Sequence, residues 1–437
     1  MPSALSAGAL FCLSACAVYA QQIIFTHVIY RHGDRSPSGT FPNDIHKEKP
    51  WPQGWSQLTQ VGMRQGYELG KFLRERYVPH LLSSKYNRNE IYVRSSDKDR
   101  ALQTAAAVLA GLFPPTDNQV WNSEIPWQPI PIHSFTPCKE DLLLKPTSVD
   151  CPKYDQVYKE DTAAVLSKYN TNYEDLLQFL KEQTGLKNLG FEDIGDVYTV
   201  IYRQRIHNLS LPEWADKSWK STNKTVLELV RELKRVQRTT QFDAKEESRL
   251  TAGYLLGDMV RRTKAKAATQ TDRPTKMTMY SSHDGTVTSL MYAMGVANGL
   301  LMPYAACLMI ELYAVGDVHS VQVHYRNDTE QPAYLLHVPG CPESSKFCPL
   351  DTFVQSLTPY TFATRRQRDV ACGIGDDEPS AQKKTDNGSG SVVAVAVLTF
   401  ICLALIVIIV VMGIRIRNAN LASRLRAGQL DRNLPLA

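Results

Sequence analysis

The sequence predicts an α/β fold, with a mostly parallel sheet flanked by helices and interrupted by a largely helical insertion. Three runs rich in β-branched and aromatic residues, at 23–30, 90–94 and 276–281, each precede a loop and then a stretch of helical periodicity. Strands that alternate with helices are typical of parallel sheets. Residues 154–262 show almost only helical spacing. We therefore expect one sheet with a helical insertion that caps it.

Composition limits the class of protein. The chain has 437 residues and is 43% hydrophobic, which is enough for a large core. Its formal net charge of +5 is mild, and part of the excess lies in the tail at 415–437. Because no basic stripe with interleaved aromatic residues occurs, the sequence predicts no nucleic-acid partner.

The N-terminal residues 1–20 predict a cleavable signal peptide. They are apolar, rich in small residues and end in Val18-Tyr19-Ala20. The stretch lacks the Lys or Arg that usually begins such a peptide, so an uncleaved anchor is the alternative. Either form directs the chain into the secretory pathway.

A basic heptapeptide follows the first predicted strand and is the strongest chemical signal in the chain: Arg31-His32-Gly33-Asp34-Arg35-Ser36-Pro37. Two guanidiniums beside one imidazole are costly to bury unless an anion lies among them. Arginine donors match phosphate oxygens, and Gly33 would let backbone approach a ligand closely. The pattern therefore predicts phosphate binding at a strand end. The alternative is a solvated basic turn.

The second strand and its helix offer a further candidate. Thr59 is expected to cap a helix that runs to about residue 77, strand 90–94 follows, and residues 99–112 read as helical. Arg94 stands at the strand's end, where α/β folds place ligands. It either binds the anion or forms a salt bridge with Asp97 or Asp99, whereas Arg100 is interpreted as structural.

The third strand leads to His283 and Asp284, which are expected near a helix N-terminus. Backbone N–H groups and the helix dipole favour an anion there. Asp284 could instead be an ordinary N-cap. Residues 307–313 and 319–325 then alternate like an edge hairpin. No Cys or His spacing suggests zinc and no P-loop occurs, so no metal or cofactor is predicted.

The C-terminal region predicts a membrane anchor. Residues 373–391 form a polar linker, and 392–414 are apolar, uncharged and long enough to span a bilayer. Arg415 and Arg417 place the tail, 415–437, in the cytoplasm. We expect a single-pass type I protein with a lumenal or extracellular domain at 21–372, in a lysosomal or cell-surface membrane. The tail contains no Tyr, so a tyrosine-based internalisation signal is absent.

Six cysteines in this lumenal domain allow up to three disulfides, with fifteen possible pairings. They are Cys138, Cys151, Cys307, Cys341, Cys348 and Cys372. Four Asn-x-Ser/Thr sequons are candidate glycosylation sites. They lie at Asn208, Asn223, Asn327 and Asn387.

Three motifs together resemble the histidine acid phosphatase family, in its lysosomal, prostatic and testicular branch. They are the heptapeptide, the stretch from Tyr92 to Asp97 and the stretch from Tyr280 to Asp284. The resemblance covers roughly residues 22–372 and implies a phosphoglycerate mutase-like fold. It also implies a homodimer with contacts near Trp127 and His133; a packed aromatic and a surface histidine are the alternative.

The resemblance also bears on the disulfides. It favours the pairs Cys151–Cys372 and Cys341–Cys348. It expects a partner for Cys307 at about Arg203, where this chain has no cysteine. Either Cys138 pairs with Cys307 instead, or both thiols are free.

These residues suggest a phosphatase reaction. A phosphate monoester dianion requires a neutral nucleophile and nearby cations, and an imidazole among arginines supplies both. We expect His32 to attack phosphorus and form a phosphohistidine. Phosphate-binding groups would be Arg31, Arg35, Arg94 and His283.

The resemblance implies that Asp284 protonates the leaving group. The expected activity is acid hydrolysis of phosphate monoesters, with phosphotyrosine among the candidate substrates. A catalytically idle receptor or adhesion domain, or an inositol-phosphate phosphatase, is the alternative; the near-neutral domain gives no sign of the wide basic pocket that the latter requires.

Overall fold

A seven-stranded mixed sheet forms the centre of the molecule. The computed structural model describes residues 21–135, 141–220, 222–268 and 273–375. The strands are β1 (Gln22–Arg31), β2 (Ile91–Ser95), β3 (Met277–Ser282), β4 (Cys307–Val315), β5 (Val318–Arg326), β6 (Tyr334–Leu336) and β7 (Cys348–Pro349). Their order is β2-β3-β1-β4-β5-β6, with β7 paired to β5.

The prediction of a mostly parallel sheet is wrong, although the α/β class is confirmed. Only β2–β3 and β3–β1 pair in parallel, whereas β1–β4, β4–β5, β5–β6 and β5–β7 are antiparallel. The reason is the tight turn between β4 and β5, since a hairpin can join only antiparallel strands. That hairpin lies against β1 and is covered by β6, so it is not at the sheet edge as expected.

Helices cover both faces of the sheet and supply the insertion. They are α1 (Gln60–Tyr77), α2 (Asp99–Leu112), α3 (Pro152–Asn172), α4 (Glu174–Thr184), α5 (Ile194–Ile206), α6 (Val226–Thr239), α7 (Lys245–Ala267), α8 (Asp284–Ala293), α9 (Leu350–Leu357) and α10 (Arg365–Ala371). Thr59 caps α1 through its side chain, as predicted.

The core is divided by the sheet because β1 is buried on both faces. Val28 and Tyr30 pack with Leu69 and Leu73 of α1 on one side. Ile29 packs with residues of α7 and α8 on the other. The insertion, predicted at 154–262, is helical through α3–α7 and has a third core of its own around α4–α6. Parallel strands covered by helices on both faces position their carboxyl ends as a rigid edge.

Among the described residues, one disulfide closes a long loop and a second closes a short one. Cys151 is bonded to Cys372 and Cys341 to Cys348, so both expected pairs are present. Cys307 is a buried free thiol, which corrects its suggested pairing with Cys138, a residue outside the described part.

Several sequence predictions lie outside the described residues. These are the signal peptide at 1–20, most of the linker at 373–391, the span at 392–414, the tail at 415–437 and the sequon at Asn387. Within the described residues, no helix is long and apolar enough to cross a membrane.

Candidate active site

The ends of β1 and β3 and the start of α8 meet at one edge of the sheet. Strand β1 ends at Arg31, and the backbone N–H of His32 donates to the carbonyl of Ser282 at the end of β3. Asp284 is the first residue of α8. Five of the six predicted side chains line a single cavity of about 510 Å³ here: Arg31, His32, Arg35, His283 and Asp284.

His32 is held in one tautomer by its own loop. Its Nδ1 lies 2.8 Å from the carbonyl oxygen of Gly33, so Nδ1 carries the proton and donates. The lone pair is therefore on Nε2, which accepts a hydrogen bond from Nε of Arg100 at 3.1 Å. An imidazole fixed in this way presents a nucleophilic nitrogen to the cavity.

Both site histidines favour the neutral form. Burial lowers the pKa of His32 well below 6.5, and the charges of Arg100 and Arg31 lower it further. Burial and Arg100 likewise lower the pKa of His283. For both histidines burial is the larger cause, and neighbouring positive charge adds to it. Both rings can stay neutral in acid.

Arg100 belongs to the site, although the sequence interpretation made it structural. It lies in the first turn of α2, and its guanidinium reaches both His32 Nε2 and, at 3.4 Å, Nδ1 of His283. The signal that could have found it is its position at the start of a helix that follows a strand end. That placement resembles that of Asp284, the first residue of α8.

Arg94 does not reach the cavity, which corrects its prediction as a phosphate-binding residue. Its guanidinium forms an ion pair of 2.7 Å with Asp141, whose carboxylate side chain is fully buried, and lies over the ring of Phe135. Side chains alternate along a strand, and Arg94 points to the face where Asp141 lies. The pairing with Asp97 or Asp99 that the sequence left open is not the one formed either.

His283 is positioned by two neighbours. Its Nε2 lies 2.8 Å from the hydroxyl of Ser96, which follows β2 directly. Its ring centroid is 5.5 Å from that of His32. The two imidazoles therefore face the same space from two adjacent parallel strands.

Asp284 carries its own counter-ion. Arg238 of α6 lies 3.0 Å from its Oδ2 through both Nε and a terminal nitrogen. Burial opposes ionisation of Asp284, but Arg238, Arg31 and other nearby cations outweigh it and hold its pKa well below the usual range. These cations favour the ionised form of the carboxyl group. The insertion thus completes the site.

The heptapeptide loop is clamped against α1. A Cβ added to Gly33 would lie 2.3 Å from the carbonyl oxygen of Gly62, so this glycine serves helix packing, not the ligand approach expected from the sequence. Buried Asp34 accepts hydrogen bonds of 2.6 Å from Thr59 and from His207, at the end of α5. The loop that contains His32 is therefore fixed from two sides.

Most cations around the two imidazoles lack an acidic partner. Among the described residues, Arg31, Arg35, Arg100 and Arg203 form no ion pair, and their hydrogen bonds go to backbone carbonyls or to imidazole nitrogens. Burial and the charge of Arg203 lower the pKa of Arg35 to about 9. Guanidiniums held together in this way favour an anionic ligand. No cluster of potential metal ligands occurs among the described residues.

The chain belongs to the histidine phosphatase superfamily, branch 2, whose family model matches residues 22–326. The resemblance inferred from the motifs is thereby confirmed. Among curated relatives, bovine prostatic acid phosphatase is 40% identical over 344 residues, covering 78% of this chain and 86% of that protein. Lysosomal acid phosphatase of Xenopus laevis is 40% identical over 345 residues, covering 78% and 77%.

Solved structures share the fold at low identity. A phytase from Citrobacter braakii superposes with a TM-score of 0.61 at 15% identity, covering 81% of this chain and 99% of that one. At this identity the likeness concerns the fold alone.

Proposed function

We propose that this protein is an acid phosphatase that hydrolyses phosphate monoesters through a phosphohistidine intermediate. One observation carries the proposal: guanidiniums without carboxylate partners surround the Nε2 lone pair of a buried, neutral His32. A phosphoryl group supplies the negative charge that these cations lack. The prostatic and lysosomal acid phosphatase relatives support the same reaction class.

In the first step, Nε2 of His32 attacks phosphorus as the bond to the ester oxygen breaks. Arg31, Arg35, Arg100 and His283 hold the phosphoryl oxygens, and Arg100 gives up its hydrogen bond to Nε2 in exchange for one to phosphate. In the second step, water attacks the phosphohistidine, the P–N bond breaks, and free phosphate and neutral His32 are restored.

Asp284 would act as the acid for the leaving oxygen. The role needs a protonated carboxyl, whereas the free site holds its pKa low. A phosphate dianion bound within the cavity raises that pKa and also competes for Arg238. Asp284 would then donate its proton as the ester bond breaks and recover one from the attacking water.

The membrane topology, the cellular location and the glycosylation sites are proposed from the sequence. A signal peptide at 1–20 and a span at 392–414 would give a type I protein with a lumenal or extracellular enzyme domain, and the lysosomal relatives support a lumenal place. Glycans are proposed at Asn208 and Asn223, both exposed, at Asn327, and at Asn387.

A homodimer contact is proposed near Trp127. Trp127 is 40% exposed, and its carbonyl accepts a hydrogen bond from the exposed Trp121. The proposed contact includes His133, which is also exposed and stacks its ring on Tyr92.

An inositol-phosphate phosphatase is the second candidate, because the cavity is more basic than the whole domain suggests. Seven arginines and lysines line it against two aspartates: Arg31, Arg35, Arg100, Arg203, Arg231, Lys234 and Arg238. The near-neutral net charge of the domain had argued against such a pocket. Broad monoester hydrolysis remains the better supported activity.

The deciding experiment is hydrolysis of p-nitrophenyl phosphate by the purified protein between about pH 4 and 8, without added metal. The His32→Ala variant is expected to lose at least about a thousandfold in kcat. His319→Ala, a partly exposed strand residue, serves as the control and should retain full activity. A folded wild-type protein without activity would favour the receptor or adhesion alternative.

A further inference from the structure

Arg203 is a buried cation that the reaction proposed above does not use. It lies on α5, is 2% exposed and lines the cavity. Its one hydrogen bond among the described residues is donated to the carbonyl of Thr199, one turn earlier, and its Nε has no partner. A buried guanidinium with unused donors needs an anion to offset its charge.

Arg203 is near the phosphate site but offset from it. Its guanidinium carbon is 5.9 Å from the ring centre of Tyr304, whereas that of Arg31 is 3.9 Å from the same ring. The ring of His32 is 6.0 Å from that of Tyr304, so Arg31, Arg203 and His32 all lie around this one tyrosine, with Arg203 farther from it than Arg31. In the proposed reaction the phosphoryl oxygens are already held by Arg31, Arg35, Arg100 and His283, so the donors of Arg203 are left for a second anion nearby.

Helix α6 adds cations to the same wall. Lys234 and Arg231 line the cavity beside Arg203. Lys234 donates to Gln237 and has no ion pair among the described residues, and burial together with Arg238 lowers its pKa to about 8. Asp328 also lines the cavity, but its carboxylate is exposed. Because solvent screens this negative charge, it offsets the positive charge of the three cations only weakly.

We infer that Arg203, with Lys234 and Arg231, forms a second anion subsite beside the phosphate site, so that the preferred substrates are monoesters with a second phosphate or carboxylate group. The inference rests on the proposed phosphatase function for its substrates, but the subsite itself is a binding property. The second anion receives charge-assisted hydrogen bonds and is not itself cleaved while it occupies the subsite.

Direct binding tests the subsite without catalysis. Isothermal titration of the full-length protein in detergent would compare phenylphosphonate with 1,4-phenylenebis(phosphonate), neither of which is an ester. The bisphosphonate is expected to bind at least about tenfold more tightly, as charge-assisted hydrogen bonds require. Arg203→Met should remove about tenfold of that preference and leave phenylphosphonate binding within about twofold.

Two further variants make the outcome decisive. Arg205 lies two residues away on α5 and forms an exposed ion pair with Asp216. The Arg205→Met variant should keep the preference for the bisphosphonate. Lys234→Met should lower it, and this variant decides the matter if Arg203→Met does not fold. No preference in the wild type, or equal weakening of both ligands in the variants, overturns the subsite.

The 4-carboxyphenyl and phenyl phosphates distinguish the two proposals. Faster hydrolysis of the carboxylated ester, lost in Arg203→Met, supports the substrate class, and equal kcat/KM for the two esters overturns it. If neither ester nor p-nitrophenyl phosphate is hydrolysed while bisphosphonate preference persists, the phosphatase function and the substrate class fail and the subsite stands.

Discussion

At the scale of single residues, function depends on which cations lack an acidic partner. Arg94 and Arg100 lie on the same strand-to-helix connection, yet Arg94 is neutralised by Asp141 and Arg100 contacts both imidazoles. The Arg94–Asp141 ion pair stabilises the fold, because Asp141 also accepts a hydrogen bond from the backbone N–H of Leu144. Arg100 is available for a ligand.

Removing Arg94 should affect stability and spare catalysis. Arg94→Met leaves a buried, unpaired carboxylate, which costs about 3–5 kcal/mol in unfolding free energy, while kcat/KM for p-nitrophenyl phosphate stays within about twofold. The loss should be greater at pH 7 than at pH 5, because the uncompensated Asp141 has a raised pKa and takes up a proton in acid. Urea unfolding at both pH values measures this.

The matched control adds Asp141→Asn to the same variant. It removes the buried charge and should recover most of the stability. A large fall in kcat/KM for Arg94→Met alone would contradict its exclusion from the site.

Removing Arg100 should move the acid limb of the pH profile. His32 must be neutral to attack, so kcat/KM falls as pH drops through its lowered pKa. Arg100→Met removes a positive charge that lowers this pKa, so the limb shifts to higher pH, with a fall in kcat/KM of about a hundredfold on the plateau. Profiles of kcat/KM from pH 3.5 to 7 test the shift, and Arg94→Met should show none. An unshifted limb would mean that Arg100 does not act on His32.

Asp284 can be tested through the leaving group. Asp284→Asn should slow hydrolysis of phenyl phosphate by about a hundredfold or more, because phenoxide needs a proton as it leaves. For p-nitrophenyl phosphate, whose leaving group is stable as an anion, the loss should be under about tenfold. Similar losses on both esters would refute the acid role.

Local patterns predicted much of the site and missed what depends on packing. The five residues Arg31, His32, Arg35, His283 and Asp284 could be found because each lies at a strand end or within four residues after it. Arg238 and Arg203 could not, since they lie on helices of the insertion, and only the tertiary fold brings α5 and α6 to the sheet edge. The partner of Arg94 is likewise far away in sequence.

At the scale of elements, the loop after β1 is held by a close approach to α1. A Cβ on Gly62 would lie 2.1 Å from the carbonyl oxygen of Asp34, and one on Gly33 would meet Gly62. The contact between Gly33 and Gly62 sets the distance between α1 and the loop that contains His32. Strand and helix positions here were predictable from periodicity, but the direction of β4 was not, because periodicity does not specify pairing partners.

An alanine at this contact should displace the loop. Gly33→Ala is expected to lower unfolding free energy by at least about 2 kcal/mol, since backbone atoms on the facing helix cannot yield cheaply, and to reduce kcat. Gly39→Ala is the matched control, because a Cβ there meets no atom within 4 Å. Differential scanning calorimetry and p-nitrophenyl phosphate turnover measure both. Normal activity in Gly33→Ala would show that the contact does not position His32.

At the scale of the whole molecule, the two disulfides close loops of very different length. Cys151–Cys372 spans 221 residues, from the start of the insertion to the end of the described domain, and Cys341–Cys348 spans 7. In the chain-entropy model the longer loop loses more freedom in the unfolded state. The long disulfide therefore contributes more stability.

Removing each disulfide should show this order. Replacing Cys151 and Cys372 with Ser should cost about 5 kcal/mol, and replacing Cys341 and Cys348 about 2 kcal/mol. Urea unfolding under non-reducing conditions gives both values. The reverse order would indicate that strain or residual unfolded structure, and not loop entropy, dominates.

The helical insertion contacts the candidate site at two places, Asp284 and the loop that contains His32. Through α6 it provides Arg238, the counter-ion of Asp284, and at the end of α5 it provides His207, the partner of Asp34 beside the nucleophile. Displacing α5 and α6 together would remove the counter-ion of Asp284 and one of the two contacts that fix the His32 loop. One group of helices therefore sets both the ionisation of Asp284, through Arg238, and the position of the His32 loop, through His207.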